Sequence, residues 1–161
     1  VDAVAGTGCR ILDTRKTLPG LRKAQKYAVS CGGGHNHRIG LYDAILIKEN
    51  HIAAAGSVCE ALSRAQASAG SATMIEVEVE NLMQLQEALD CGARRVLLDN
   101  FAQADLKQAV DMARGRAETE VSGNVTLGNV REIANFGIDY VSIGALTKNI
   151  HAIDLSLLFT R

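Results

Sequence analysis

Three consecutive glycines, Gly32–Gly34, lead into His35-Asn36-His37-Arg38, and the cations Arg15-Lys16 and Lys48 lie on either side. A triple glycine costs backbone entropy on folding, so it marks a sharp turn or a close approach to something. His37 and Arg38 are planar donors, and pliable backbone among cations suits an anion with several oxygens. A solvated surface loop would use the same residue types. Acidic groups recur as well: Glu76, Glu78 and Glu80 alternate with Val77 and Val79, and Asp99 ends a separate apolar run. A carboxylate pair such as Glu78 and Asp99 could hold sugar hydroxyls or Mg²⁺. Two glycine loops, Ser122-Gly123-Asn124 and Gly144-Ala145, suit a phosphate held by backbone N–H groups.

The elements that must position these groups follow from periodicity. Strands are expected over Cys9–Asp13, Ala44–Ile47, Thr73–Val79, Val96–Leu98, Thr119–Val121 and Asp139–Ile143. Helices are expected over Leu21–Val29, Ser57–Ala69, a stretch capped by Asn81, Gln103–Ala113, and Leu127–Phe136 capped by Thr126. Lys48–His51 simply leaves its strand, and the apolar tail Ile150–Phe159 is either a helix or irregular packing. Strands alternating with helices call for a parallel sheet with crossover helices. A full (β/α) ring needs about eight units. Six imply an incomplete barrel or an open sheet. The start at Val1, almost directly before a buried strand, favours a barrel lacking its opening strand, the later part of a longer protein. Arg15-Lys16, Lys48, Glu78, Asp99, Ser122–Asn124 and Gly144-Ala145 all fall at carboxyl ends of strands, which is the active face of parallel barrels. Alternation in the third strand turns Glu76, Glu78 and Glu80 toward the interior, where carboxylates need cations; Arg15, Lys16, Arg38 and Lys48 are at hand. An edge strand with a wet face would alternate in the same way.

Composition narrows the partners. A chain of 161 residues with 47% hydrophobic and 22% charged residues supports one domain with a real core, residues 1–161. Net charge is −1 and Trp is absent, so neither a basic surplus nor stacking platforms point to nucleic acid. No apolar run approaches a membrane span and no signal peptide is visible, so a cytoplasmic protein is expected. Cys9, Cys31, Cys59 and Cys91 have no metal-ligand spacing and are expected as reduced thiols.

Seven motifs in order carry a resemblance: Asp13-Thr-Arg-Lys-Thr17 with Pro19-Gly20, Gly32–Arg38, Ile47-Lys-Glu-Asn-His51, Glu76–Glu80, Leu98-Asp-Asn100, Ser122-Gly-Asn124 and Ser142-Ile-Gly-Ala-Leu146. Together the chain resembles quinolinate phosphoribosyltransferases, the carboxylating nicotinate-nucleotide pyrophosphorylases of NAD biosynthesis, over essentially its whole length. The resemblance implies an incomplete α/β barrel without the family's amino-terminal α/β sandwich domain. It implies quinolinate and phosphoribosyl pyrophosphate as substrates, Mg²⁺ as cofactor, and nicotinate mononucleotide, pyrophosphate and CO₂ as products.

By that resemblance Arg15, His37, Arg38 and Lys48 would hold the quinolinate carboxylates, with Lys16 beside them. Glu78 and Asp99 would bind ribose hydroxyls and Mg²⁺. Ser122, Gly123, Asn124, Gly144 and Ala145 would hold the 5′-phosphate. A homodimer or larger homo-oligomer is implied, a neighbour's amino-terminal region completing the site, so this segment alone is expected to be inactive. Lys48, Glu78 and Asp99 are the catalytic candidates. Rival readings are a related type II phosphoribosyltransferase, a phosphate-binding barrel of the aldolase or epimerase kind recruiting Lys48, and a non-catalytic binding domain.

Overall fold

A computed structural model describes residues 1–70 and 73–159. Its parallel strands are β1 (Arg10–Leu12), β2 (Ala44–Ile47), β3 (Met74–Val79), β4 (Arg95–Asp99), β5 (Glu118–Ser122) and β6 (Tyr140–Ser142). Between them run α1 (Arg22–Cys31), α2 (Glu49–Ala55), α3 (Val58–Ser68), α4 (Leu82–Asp90), α5 (Gln103–Ala113) and α6 (Val130–Asn135). A short α7 (Ala145–Lys148) follows the last strand, and a 3₁₀ turn covers Asp2–Val4. The strands stand in the order β1-β6-β5-β4-β3-β2. This is a (β/α) barrel left open between β1 and β2, the incomplete barrel expected from the sequence.

The glycine-rich segment runs into that opening. His35 forms a parallel bridge to Leu12, and Arg38 Nη1 donates to the Ala44 carbonyl at 3.2 Å. The glycines therefore approach protein rather than ligand. A Cβ on Gly34 would lie 2.8 Å from Val29 Cγ1 at the end of α1, and Gly33 turns at φ +81°. No side chain larger than hydrogen fits at Gly34 without moving Val29.

Each strand has two different faces. Val77, Val79, Val96, Leu98, Val121 and Val141 point outward and are buried under Leu62, Leu85, Ala88, Leu106, Ala109 and Ile133 of the helices. The parallel register stacks the inward residues in rows: Glu78 beside Leu97, Leu97 beside Glu120, Asp99 beside Ser122, Glu120 beside Tyr140. The core thus lies between sheet and helices, and the space inside the ring is left for polar groups. Helix starts are set locally. Ser57 accepts from the Glu60 N–H at 3.1 Å and Asn81 from the Gln84 N–H at 3.0 Å.

Several expectations need correction. Lys48–His51 is not a bare loop: Glu49–Ala55 is helical, with His51 Nδ1 accepting the Lys48 N–H at 2.9 Å. Helix α6 begins at Val130 and not at Leu127, because Asn129 Oδ1 accepts the Thr126 N–H and closes a turn first. Glu80 lies beyond the end of β3 and is exposed, so only Glu76 and Glu78 face inward. Through residue 159 the tail is irregular and its apolar side chains are exposed. Cys59 and Cys91, expected as thiols, are joined as a disulfide between the start of α3 and the end of α4, with Cα atoms 5.4 Å apart. Cys9 and Cys31 remain free; burial, with the Asp139 charge adding to it, pushes the Cys9 thiol up to about 11. Among the described residues no helix is long and apolar enough to cross a membrane.

Candidate active site

The cationic side of the site is held by a buried framework from β1, α1 and the opening segment. Lys26 and Asp13, both almost fully buried, form an ion pair. Asp13 Oδ1 also accepts the His37 N–H at 2.9 Å, Asn36 donates to Asp13 Oδ2 at 2.6 Å, and Lys26 Nζ donates to the His37 carbonyl at 2.8 Å. These bonds fix the backbone from which His37 and Arg38 project. Arg22 donates to the Arg15 carbonyl at 3.0 Å and Thr147 to the Lys16 carbonyl at 2.7 Å, anchoring the loop after β1. The cations themselves are left largely unneutralised. The buried Nε of Arg15 has no hydrogen-bond partner among the described residues. Burial, reinforced by the Arg15 charge, pulls Arg38 below the usual guanidinium range despite the nearby carboxylates Glu76, Asp43 and Glu78. Two arginines held close without a shared counter-ion form a site for an anion.

Beside them the carboxylates begin. Lys48 Nζ lies 2.7 Å from Glu78 Oε2. Burial raises the Glu78 carboxyl, Lys48 opposes this, and the Asp99 charge adds to the rise. Asp99 Oδ1 accepts from Ser122 Oγ at 2.5 Å and Oδ2 from Asn100 at 2.8 Å. The Ser122–Asn124 loop interlocks with the loop after β4. Gly123 turns at φ +92°, and a Cβ there would be 2.1 Å from Asn100 Oδ1. The N–H groups of Gly123 and Asn124 take no partner among the described residues. Gly144, at the start of α7, admits Lys16: its Cβ position is 3.3 Å from Lys16 Cδ and 3.8 Å from Lys148 Cε.

All twelve residues proposed from the sequence line one cleft of about 790 Å³ at the carboxyl ends of the strands: Arg15, Lys16, His37, Arg38, Lys48, Glu78, Asp99, Ser122, Gly123, Asn124, Gly144 and Ala145. They differ in what they can still do. His37 is engaged at both ring nitrogens, Nδ1 accepting the Arg38 N–H at 2.7 Å and Nε2 facing Glu76 at 3.0 Å. It shapes the cleft more than it offers a free donor.

Under the cleft lies an ionic ring. Arg95 donates from Nε to Glu76 Oε1 at 3.0 Å and from Nη2 to Glu120 Oε2 at 2.7 Å. Its guanidinium stacks 4.0 Å from the centroid of the Tyr140 ring. His37 Nε2 closes the ring, 3.0 Å from Glu76 and 3.5 Å from Glu120. Burial works against the Glu76 charge, but the His37 hydrogen bond and Arg95 outweigh it and hold this carboxyl below its usual range. Glu120 goes the other way. Burial and the Glu76 charge push it up to about 7, against His37 and Arg95. His37, Glu76 and Glu120 present ligand atoms within 4.8 Å of one another, yet Arg95 already supplies a cation there.

A family model described as quinolinate phosphoribosyl transferase, C-terminal domain, matches residues 1–158. The chain belongs to this family. It is similar to the carboxylating nicotinate-nucleotide pyrophosphorylase of Mycobacterium leprae, 49% identical over 160 residues that make up 98% of this chain and 56% of that protein. It is also similar to a decarboxylating quinolinate phosphoribosyltransferase of Nicotiana glauca, 44% identical over 91% of this chain and 47% of that one. The solved nicotinate-nucleotide pyrophosphorylase of Francisella tularensis superposes with a TM-score of 0.93 at 51% identity, over 97% of this chain and 55% of that one. The chain therefore spans about half the length of the relatives it matches.

Within this family domain, sequence reasoning missed Arg95 and Glu120. The strand expected over Val96–Leu98 leaves Arg95 outside it, and the strand expected over Thr119–Val121 contains Glu120 without giving it a role. One signal was present: Glu120 stands two residues before Ser122 in an alternating strand, so it must share the inward face.

Proposed function

We propose that the complete protein transfers the phosphoribosyl group of phosphoribosyl pyrophosphate to quinolinate with loss of CO₂, giving nicotinate mononucleotide and pyrophosphate. The observation that carries this reading is the convergence of three kinds of group on one cleft. Arg15 and Arg38 lie close together, Lys48 pairs with Glu78 near Asp99, and the backbone N–H groups of Gly123 and Asn124 take no partner among the described residues. Quinolinate is a dianion, and fixed guanidinium groups match its carboxylates. The sugar lies over the carboxylates, and its 5′-phosphate in the cradle of Ser122, Gly123, Asn124, Gly144 and Ala145, with Lys16 alongside.

As the C1–pyrophosphate bond breaks, positive charge develops on the ribose ring. Glu78 and Asp99, both half-buried, then face growing positive charge. Both are hard oxygen donors whose charges repel across a partly buried space, a donor set that fits Mg²⁺. Bound there with the substrate, the ion would neutralise the leaving pyrophosphate. Lys48 bridges the two halves: it is tied to Glu78 and within the same cleft as Arg38. Once alkylated, the ring nitrogen is cationic and stabilises the electron pair that CO₂ leaves on the adjacent carbon. The tightest cation contacts go to the carboxylate that stays, since clamping the departing one would oppose its loss. A Schiff-base aldolase reading is less well served, because the Lys48 ammonium is held by a carboxylate. We place the protein in the cytoplasm as a homodimer or larger homo-oligomer, with a neighbouring subunit's amino-terminal region closing the cleft; sedimentation of the complete gene product tests the assembly.

The decisive experiment substitutes Lys48→Ala and Asp99→Asn in the complete gene product. Lys48→Ala should lower quinolinate turnover by roughly 10²-fold or more while the melting curve is preserved. Asp99→Asn should raise the KM for the sugar phosphate. Wild-type turnover in the first variant would remove Lys48 from the site. An effect on quinolinate alone in the second would take Asp99 away from the sugar phosphate.

A further inference from the structure

We propose that Glu120 is the acid that delivers a proton to the pyridine carbon vacated by CO₂. The inference rests on the reaction just proposed and concerns a step to which none of the residues above contributes a proton.

Position comes first. Glu120 faces the interior of β5 one row beneath Ser122, which borders the sugar-phosphate end, and it lines the cleft. Its Oε1 lies 3.5 Å from His37 Nε2, next to the Arg38 end. The new bond joins the pyridine nitrogen to C1 of the sugar, so that nitrogen must sit where the two ends meet. The carbon that loses CO₂ is bonded directly to that nitrogen. An acid serving it belongs at this junction, as Glu120 does.

The second observation is the oxygen itself. Glu120 is fully buried, and Arg95 holds its Oε2 at 2.7 Å. Its Oε1 is buried without any hydrogen-bond partner among the described residues. Buried carboxylate oxygens are rarely left so, and one that borders a ligand cleft has a role there or a cost without return. Burial among Glu76, His37 and Arg95 also leaves this carboxyl partly protonated near neutral pH, as a general acid requires.

The competing donors are engaged elsewhere. His37 Nε2 is bound to Glu76 and its Nδ1 accepts the Arg38 N–H. Lys48 is paired with Glu78, and Lys16 and Lys148 lie at Gly144 in the phosphate cradle. In the step itself the C2–carboxylate bond breaks, CO₂ departs, and the electron pair stays on C2 beside the cationic nitrogen. The Glu120 O–H bond then breaks as C2–H forms. The carboxylate regains its proton from water.

The test uses the complete gene product with quinolinate and phosphoribosyl pyrophosphate in single turnover, following pyrophosphate and CO₂ separately and the nucleotides by mass spectrometry. In Glu120→Gln, pyrophosphate release should continue while CO₂ release slows by roughly 10²- to 10⁴-fold, so that the still-dicarboxylated nucleotide accumulates. Glu120→Asp, which keeps an acid, should restore part of the CO₂ release and carries the comparison if the glutamine variant does not fold. Equal slowing of both products, or no slowing, overturns the role of Glu120 and leaves the reaction standing. A wild-type protein that forms neither product overturns the reaction itself, and this inference with it.

Discussion

Removing Arg95 should destabilise the protein strongly, and the loss should depend on pH. The guanidinium is the shared partner of two fully buried carboxylates, at 3.0 Å from Glu76 and 2.7 Å from Glu120. Arg95→Met keeps an apolar stem to lie against Tyr140 but leaves both carboxylates facing only His37. Breaking a buried pair by deleting one partner costs about 3–5 kcal/mol, because a buried charge is left uncompensated. For a domain of this size each kcal/mol moves Tm by roughly 2–4 °C, so a fall of roughly 6–20 °C is expected. Thermal denaturation at pH 8 and at pH 5 is the assay. Without the cation both carboxyls rise, Glu76 from below its ordinary value and Glu120 further above its own. A raised folded pKa stabilises below the unfolded value and that contribution is lost as pH rises, so the damage should be greatest at pH 8 and smaller at pH 5. Adding Glu76→Leu and Glu120→Leu to Arg95→Met should return most of the stability. A loss below about 1 kcal/mol at pH 8, or an equal loss at both pH values, would refute the ionic ring.

Two further outcomes follow from the same geometry. The Glu120 carboxyl rises from an ordinary 4.5 to about 7, so wild-type stability should decline between those values, and Glu120→Gln should flatten that decline by up to about 3 kcal/mol in a pH series of denaturant titrations. Gly123→Ala forces a Cβ at φ +92° to within 2.1 Å of Asn100 Oδ1, and either Asn100 or the loop must move. With about 1–3 kcal/mol of strain, the sugar-phosphate KM should rise roughly 5- to 100-fold while calorimetric affinity for quinolinate is unchanged; an unaltered KM would show that this loop does not hold the phosphate.

What could be read in the chain follows the reach of each signal. Ala44–Ile47 and Gln103–Ala113 appear with the boundaries expected, because apolar periodicity and local stops decide them. Helix α2 escaped notice because it is short and only Ile52 and Ala55 pack partly on the core, too few to show as a periodic stripe. The glycines were legible as a constraint but not as to its cause: backbone meets Val29 and the open seam of the barrel, not a ligand. Arg95 and Glu120 lie 25 residues apart and meet only through parallel pairing of β4 and β5. Cys59 and Cys91, 32 residues apart, likewise come together only when α3 packs on α4.

The two faces of the sheet divide the labour of this domain. The outer face is an ordinary apolar core, and stability comes from there. The inner face carries Glu76, Glu78, Glu120, Arg95 and Asp99, where apolar residues of similar volume would often serve folding as well or better. A barrel interior built for stability alone would not place two carboxylates beneath a cleft already lined with carboxylates. The charged row has a geometric consequence that apolar residues could not supply. Glu76 holds the His37 ring at Nε2, the ring's Nδ1 takes the Arg38 N–H, and Arg38 is thereby kept beside Arg15 against their mutual repulsion. A chain of hydrogen bonds reaching down to Arg95 thus adds to the Asp13 framework and to the Arg38–Ala44 bond in tying these like charges to the sheet. The same chain leaves one oxygen of Glu120 unspent at the floor of the cleft.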